Sequence, residues 1–563
     1  MKILILGGYG VFGGRLAELL SDNPDLKLMI SGRNLDRAVA FCAAYEGVAT
    51  TSPLELDRND IAIWLRTGRP DLVVDASGPF QNYGDDPYRV VKACISAGVD
   101  YLDFADGAGF VFGVSQFDAD AKTAGVFVLS GVSSFPVLPA AVLRNMAERM
   151  EIVSVTGGIA PTPYAGIGLN VMRAVIGYAG TPVKLLRDGQ QTTAIGLAES
   201  MRFTIAPPSR LPLRNIHFSL VDVPDLQVLP PEHPAMRDIW MGAGPVPEIL
   251  NRALNILAKA RGALGLPSLV RFSRLFYLVL NLMKFGEHRG GMFIHAKGLK
   301  DGAPVEESWH LLAEGDDGPY IPSMAIEALV RKLLKGARPA NGAGPAIRSL
   351  ELEDYEALFE SRSIQTGFRQ AVEPATSLYR VALGSAFETL PKQLQHLHDA
   401  TAPHRWSGIA EVQRGKGLLA RLIGKIIGFP PAAKQVPVQV DLVPVPEGER
   451  WTRDFGGRIF SSFQSLGTGK NEHLVVERFG VVSVALALVV EGDHLYLVPR
   501  RWSCLGIPLP GIFLPSGSSF ETERAGKFCF DVEIRAPLIG LIVRYNGVLV
   551  PVEVTKPSGG SAD

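Results

Sequence analysis

Cysteine is nearly absent from this chain. The four present, Cys42, Cys94, Cys504 and Cys529, lie far apart and form no CxxC pair, which excludes a zinc ribbon and a disulfide framework and fits a reducing cytosol. An excess of one charge sign is lacking too. With 56 basic and 57 acidic side chains and a net charge of −1, the protein has no electrostatic footprint for nucleic acid. No apolar run reaches the ~20 residues that span a bilayer. The most apolar later segment, Leu275 to Met283 between Arg271, Arg274 and Lys284, reads by default as a buried helix, with an interfacial helix as the sharper alternative. The ten histidines are scattered, and no metal site is expected. No charged region precedes the first apolar run, so no signal peptide is expected, and the protein is read as cytoplasmic with peripheral membrane contact left open.

What the chain does have is glycine in a telling place. Ile3-Leu4-Ile5-Leu6 reads as a strand, Gly7-Gly8-Tyr9-Gly10-Val11-Phe12-Gly13 follows, and Leu16, Leu19 and Leu20 mark the buried face of a helix. This is the strand, turn and helix of a dinucleotide-binding fingerprint. Gly8 is read as the sharp turn, Gly10 as the point of backbone approach to a pyrophosphate, and Gly13 as the contact between helix and sheet. Val11 and Phe12 open the helix, whose unpaired N–H groups and positive dipole end suit an anion. The alternative is a tight turn that binds nothing.

A second absence concerns the nucleotide. An NAD site places a carboxylate at the end of the second strand, about 20 residues on, to hold the ribose 2′-hydroxyl. Here Leu26 to Ile30 is followed by Ser31-Gly32-Arg33-Asn34. A hydroxyl and a planar guanidinium suit a 2′-phosphate, which favours NADP over NAD.

Strand-like and helix-like stretches alternate to about residue 150: helices near Leu35–Tyr45 and Asp60–Arg66, a fourth strand at Asp71–Ala76, a helix at Tyr88–Ala97, and strands at Tyr101–Phe104 and Val126–Leu129. The fold class is therefore α/β, with a Rossmann-type, doubly wound parallel sheet over residues 1–150. An α+β domain that would close over the nicotinamide end of the cofactor is expected over 151–370, with a boundary near Glu373-Pro374. A β-rich, barrel-like module is expected over 375–555, and a disordered tail over 556–563. Within the module, Leu378–Leu397 and Arg414–Phe429 read as helices. The second of these is basic and amphipathic, and covers either an open barrel end or an anionic lipid surface.

Several motifs occur together in order: the glycine loop, Ser31-Gly32-Arg33, Ser77-Gly78-Pro79-Phe80-Gln81-Asn82-Tyr83-Gly84, and Ala97-Gly98-Val99-Asp100-Tyr101-Leu102-Asp103. With Gly168 to Gly180 and Gly318-Pro319-Tyr320-Ile321-Pro322, they make residues 1–370 resemble the saccharopine-dehydrogenase-like oxidoreductases. The remainder resembles a bacterial module of unknown function that accompanies them. The resemblance implies an enzyme that binds NAD(P) in the first domain, a substrate pocket in the second, a homodimer, and hydride transfer to or from a small or lipid-like substrate. Enoyl-type or imine-type reduction is included.

Ser77, Gly78, Pro79 and Phe80 leave the fourth strand at its carboxyl edge, where open α/β sheets bind ligands, and are candidates for the nicotinamide ribose. Asp103 and Asp106 follow the next strand at the same edge. Asp103 and Tyr83 are the candidate proton-transfer residues, against helix capping and packing as alternatives. His295, Glu307 and His310 are candidates for lining the second domain's pocket, while His396 and His398 read as structural. A non-catalytic protein that senses NADP and binds an apolar ligand is the alternative function.

Overall fold

The computed structural model describes every residue except 81–82, 163, 166–168, 246, 283–285, 371–375, 400 and 553–563. Gln81 and Asn82 of the third motif, Gly168, Met283, Lys284, the Glu373-Pro374 boundary and the whole polar tail therefore lie outside the described residues. The chain divides into two compact units, one of residues 1–203 and 216–366, the other of residues 204–215 and 367–563.

Ile3, Leu4, Ile5 and Leu6 are at most 2 % exposed, and burying each such side chain contributes roughly 1.5–3 kcal/mol. That drives β1 (Lys2–Leu6) to the middle of a parallel sheet. Around it stand β2 (Lys27–Gly32), β3 (Thr50–Glu55), β4 (Leu72–Asp75), β5 (Asp100–Asp103) and β6 (Phe127–Ser130) in the order 3-2-1-4-5-6. This is the doubly wound arrangement, with its switch point between β1 and β4. Two features escaped the hydrophobic pattern. β3 is polar and contains Pro53, which an edge strand tolerates. A seventh strand, Gly342–Pro345, pairs with β6 from far outside residues 1–150.

The rest of the first unit is built on a mixed sheet. Six of its seven strands lie wholly within this unit and run in the order Ser200–Phe203, Ile216–Leu220, Asp238–Ala243, Glu151–Ala160, Gly290–Lys300, Ala303–Ala313. Helices Leu169–Tyr178, Glu248–Leu264 and Ser273–Leu282 belong to the same unit. The helix Ile321–Leu334 closes the unit onto the first helix. Tyr320 Oη donates to Glu18 at 2.7 Å, Ser323 Oγ to the Phe12 carbonyl at 3.2 Å, and Arg331 reaches Asp22 and the Leu19 carbonyl.

In the second unit, ten antiparallel strands close into a barrel. The order is Val482–Glu491, Val475–Phe479, Arg458–Leu466, Gly448–Phe455, Ala433–Val445, His404–Arg414, Gly540–Val552, Lys527–Ala536, Phe520–Arg524, His494–Cys504, and the last pairs back to the first. Leu378–Leu397 is not one helix. Gly384 at φ +58° and Pro391 break it into Leu378–Leu383, a 3₁₀ stretch and Lys392–His398. His398 is buried and bonded to Glu521 at 2.5 Å, with its ring stacked on Tyr379. His396 packs edge-on against Trp406. Arg414 ends a strand, so the amphipathic helix is Leu418–Ile427, resting Ala420 and Gly424 on the barrel and leaving Leu418, Leu422 and Ile426 exposed. All four cysteines are free, and no described helix is long and apolar enough to cross a membrane.

Candidate functional site

The glycine loop leaves β1 and enters the helix Val11–Leu19. Its sharp turn falls one residue earlier than the motif suggests: Gly7 has φ +75°, and a Cβ there would meet the Ala76 carbonyl oxygen at 2.8 Å. Gly8 serves close approach instead, since its Cβ would lie 3.1 Å from the Ile30 Cα. A Cβ on Gly10 would meet the Gly7 oxygen at 2.9 Å, and one on Gly13 the same oxygen at 2.5 Å. Both contacts are with backbone, which cannot swing aside. Gly10 caps the helix without any side-chain bond, and no acidic residue stands in the first turn. The cradle that a Cβ would fill and the uncapped helix start fit a pyrophosphate.

At the end of β2 the two expected contacts part company. Ser31 is fully buried, donates its hydroxyl to the Ile5 carbonyl at 3.0 Å, and does not border the cavity. It pins β2 to β1, so its expected role at the 2′-phosphate is corrected. Arg33 is exposed and lines the cavity. Arg37, which the sequence reading passed over, joins it from the first turn of the helix Leu35–Ala43. Its guanidinium lies 4.8 Å from the centre of the Tyr9 ring. The spacing of four between Arg33 and Arg37 was the available signal.

Ser77, Gly78, Pro79 and Phe80 line the same cavity beyond β4. Asp75, the last residue of β4, organises them. It is fully buried, accepts from Ser77 N at 2.9 Å, Ser77 Oγ at 2.5 Å and Tyr83 Oη at 3.3 Å, and burial holds its carboxyl above the ordinary value. Tyr83 borders the cavity with its hydroxyl turned to Asp75 and Ser77 and its ring 3.4 Å from the Arg58 guanidinium. Burial and the Asp75 charge push the phenol upward, so it holds its proton. Asp103 is also placed differently from expectation. It is fully buried and off the cavity lining, and its Oδ1 accepts from Ala105 N at 2.9 Å, Gly131 N at 2.8 Å and Ser130 Oγ at 3.0 Å. Burial pushes it up to about 7. It ties the turns after β5 and β6 together rather than facing a ligand.

From the glycine loop the cavity continues, within the first unit, into an apolar chamber. The whole cavity, from the glycine loop to the end of this chamber, has a volume of about 1420 Å³. Met172 and Val175 enter from one helix, Leu250 and Leu254 from a second, Phe276 and Val279 from a third. Two carboxylates, a phenol and an amide interrupt the apolar lining: Asp106, Asp222, Tyr178 and Asn251. Burial first and the Asp106 charge second hold Asp222 above its ordinary value. Burial and both carboxylates do the same to Tyr178. Only Asp106 had been noted, at its sheet edge; nothing in the local sequence marks Asp222, and Tyr178 is visible only as part of the block ending at Gly180. His295, Glu307 and His310 do not border the cavity, contrary to expectation. His295 faces Glu306, Glu307 holds Arg149, and His310 takes Ser308 Oγ at 2.9 Å. Among the described residues no three His, Cys, Asp or Glu side chains gather as a metal site.

Comparison with known proteins gives matches to two family models. Residues 3–129 match the model of the saccharopine dehydrogenase NADP binding domain, and residues 390–549 match a domain of unknown function, DUF4166. No curated protein matches. Among solved structures, the chain is similar to apo histidine-tagged saccharopine dehydrogenase (L-Glu forming) from Saccharomyces cerevisiae, with 14 % identity, 66 % of this chain and 100 % of that one covered, and a TM-score of 0.48. It is also similar to the amine dehydrogenase from Mycobacterium smegmatis, with 12 % identity, 61 % and 94 % covered, and a TM-score of 0.33.

Proposed function

From the premise that residues 3–129 are a saccharopine dehydrogenase NADP binding domain and the chain an NAD(P)-dependent oxidoreductase, we propose that the cofactor is NADP and the substrate an elongated, apolar, lipid-like molecule. The observation that carries this reading is one continuous cavity. It runs from Gly10 and Phe12 to Leu254 and Phe276, and its deep end is lined almost wholly by hydrocarbon. A small dicarboxylated amino acid would leave that chamber unfilled and find too few cations there.

NADP, when bound, supplies or accepts the hydride. The residues around it do the rest. Gly7 to Gly13 and the start of the first helix hold the pyrophosphate; Arg33 and Arg37 hold the 2′-phosphate; Ser77 to Phe80, braced by Asp75, border the nicotinamide ribose. The apolar chamber excludes water and aligns the chain of the substrate, which raises the effective concentration of its reacting carbon. Tyr178 keeps its proton in that dry space, and burial with the Asp106 charge raises Asp222 on the same lining. Tyr178, or Asp222 in its protonated form, delivers a proton as the substrate gains an electron pair.

The test is stopped-flow oxidation of NADPH with enoyl and imine substrates of increasing chain length. The reading requires that kcat/KM rise with chain length. Asp222→Asn and Tyr178→Phe are expected to lower kcat by about 10²–10⁴ without changing NADPH affinity. Tight NADPH binding without turnover of any of these substrates would instead favour a sensor of the nucleotide that binds an apolar ligand.

A further inference from the structure

The helices that wall the apolar chamber turn a second apolar face outward. In Glu248–Leu264, Leu250 and Leu254 line the cavity, while Ile249, Ile256 and Leu264 are exposed. In Ser273–Leu282, Phe276 and Val279 point into the cavity, while Leu275, Leu278 and Leu282 are 57 %, 55 % and 72 % exposed. Phe272, just before that helix, is exposed as well. The default expectation of a buried helix therefore fails here. A helix apolar on both faces, buried on one side and bare on the other, is costly in water unless something covers it.

The charge on this segment says what covers it. From Ile249 to Leu282 there is not one Asp or Glu, against five cations. Arg252 pairs with Glu248 just ahead of the stretch and Arg261 donates to the Gly177 and Ala179 carbonyls, which leaves Lys259, Arg271 and Arg274, all exposed, for an anionic surface. In a chain with 57 acidic and 56 basic side chains, so one-sided a stretch has a local cause. Exposed leucine flanked by arginine and lysine, without acids, is the composition of a surface that lies on anionic lipid: the hydrocarbon enters the acyl boundary and the cations meet the headgroups. A second copy of this chain would bring the same cations against themselves.

We propose that residues 249–282 form a docking face for an anionic bilayer, and that the wall between this face and the chamber is where an apolar substrate enters from the membrane. The entry role rests on the lipid-like substrate proposed above; the docking does not. Once docked, a substrate passes between Leu254 and Phe276 without crossing water, so the protein avoids the desolvation cycle of extracting a lipid into solution and burying it again.

Vesicle flotation of the full-length protein tests the docking. The probes are phosphatidylcholine alone and an equimolar mixture of phosphatidylcholine with phosphatidylglycerol. Wild-type protein is expected to float with the mixed vesicles and not with phosphatidylcholine. Leu275→Glu with Leu278→Glu, both at exposed positions, should lower the bound fraction at least ~10-fold, and Arg271→Gln with Arg274→Gln should remove the preference for anionic lipid. Leu418→Glu with Leu422→Glu, on the exposed helix of the barrel, should leave flotation intact. The proposal is overturned if wild type floats with neither vesicle, if only the 418/422 pair abolishes flotation, or if the 275/278 pair instead dissociates a dimer in sedimentation velocity. NADPH titration of each variant without vesicles shows that it is folded. Flotation with no NADPH binding would sink the function proposed above and leave the docking face standing.

Discussion

Replacing Arg33 by alanine tests the cofactor assignment most directly. Arg33 is exposed at the end of β2 with no carboxylate beside it in the loop, and Arg37 stands over the Tyr9 ring on the same cavity wall. A hydrogen bond between a charged donor and a charged acceptor contributes about 1.5–3 kcal/mol, and 1.4 kcal/mol is about tenfold in affinity. Arg33→Ala should therefore weaken NADPH binding by about 10–100-fold, towards the lower end in high salt, because the site is solvated. NADH lacks the 2′-phosphate, so its affinity should change by no more than about threefold. Fluorescence titration of both nucleotides at low and high ionic strength measures this. Equal losses for NADPH and NADH, or none for either, would refute the argument that Arg33 reads the 2′-phosphate. The internal control is Ser31→Ala. Its hydroxyl is committed to the Ile5 carbonyl, so the NADPH-to-NADH ratio should stay where it was, while the protein loses about 1 kcal/mol of stability.

Three further outcomes follow from the geometry. Gly13→Ala puts a Cβ 2.5 Å from the Gly7 oxygen and 2.8 Å from the Gly8 Cα, so the first helix must shift and NADPH affinity should collapse in calorimetric titration. Asp103, pushed up to about 7 by burial, keeps in the native state a proton that the unfolded chain releases near pH 4. Between those values the native state binds more protons, so stability is highest below the window and falls as pH rises through about 7; Tm measured across that range should fall, and Asp103→Asn should flatten the trend. In the barrel, His398 is 1 % and Glu521 6 % exposed, and leaving a buried group without its hydrogen-bond partner costs about 1–3 kcal/mol. Urea denaturation of His398→Ala should show that loss, with NADPH titration unchanged.

Local rules account for what was legible. β1, the glycine loop and the first helix were readable because an apolar strand, a turn that excludes Cβ atoms and a periodic helix face all lie within twenty residues. Arg33 was readable for the same reason, as a substitution at one fixed offset. The third strand was not, since Thr50–Glu55 takes its place from β2 and not from its own polar pattern. Helix breaks behaved likewise. Gly384 and Pro391 divided a stretch whose apolar spacing alone suggested continuity.

The sequence by itself determined a dinucleotide-binding fingerprint at the amino-terminal strand, a cation in place of a carboxylate after the second strand, and a β-rich module beyond. Each depends on neighbours along the chain. Only the tertiary structure decided which side chains border the cavity. Ser31 and Asp103 look catalytic or cofactor-binding in one dimension and are turned into the protein by their bonds to Ile5, Ala105 and Gly131. Asp106, Tyr178 and Asp222 are separated by up to 116 residues, the distance from 106 to 222 in the numbering, and they share a wall because a mixed sheet and three helices fold over the parallel one. A hydrogen-bond partner, a buried charge and an apolar chamber are properties of surfaces brought together by packing, and no local pattern encodes which surfaces will meet.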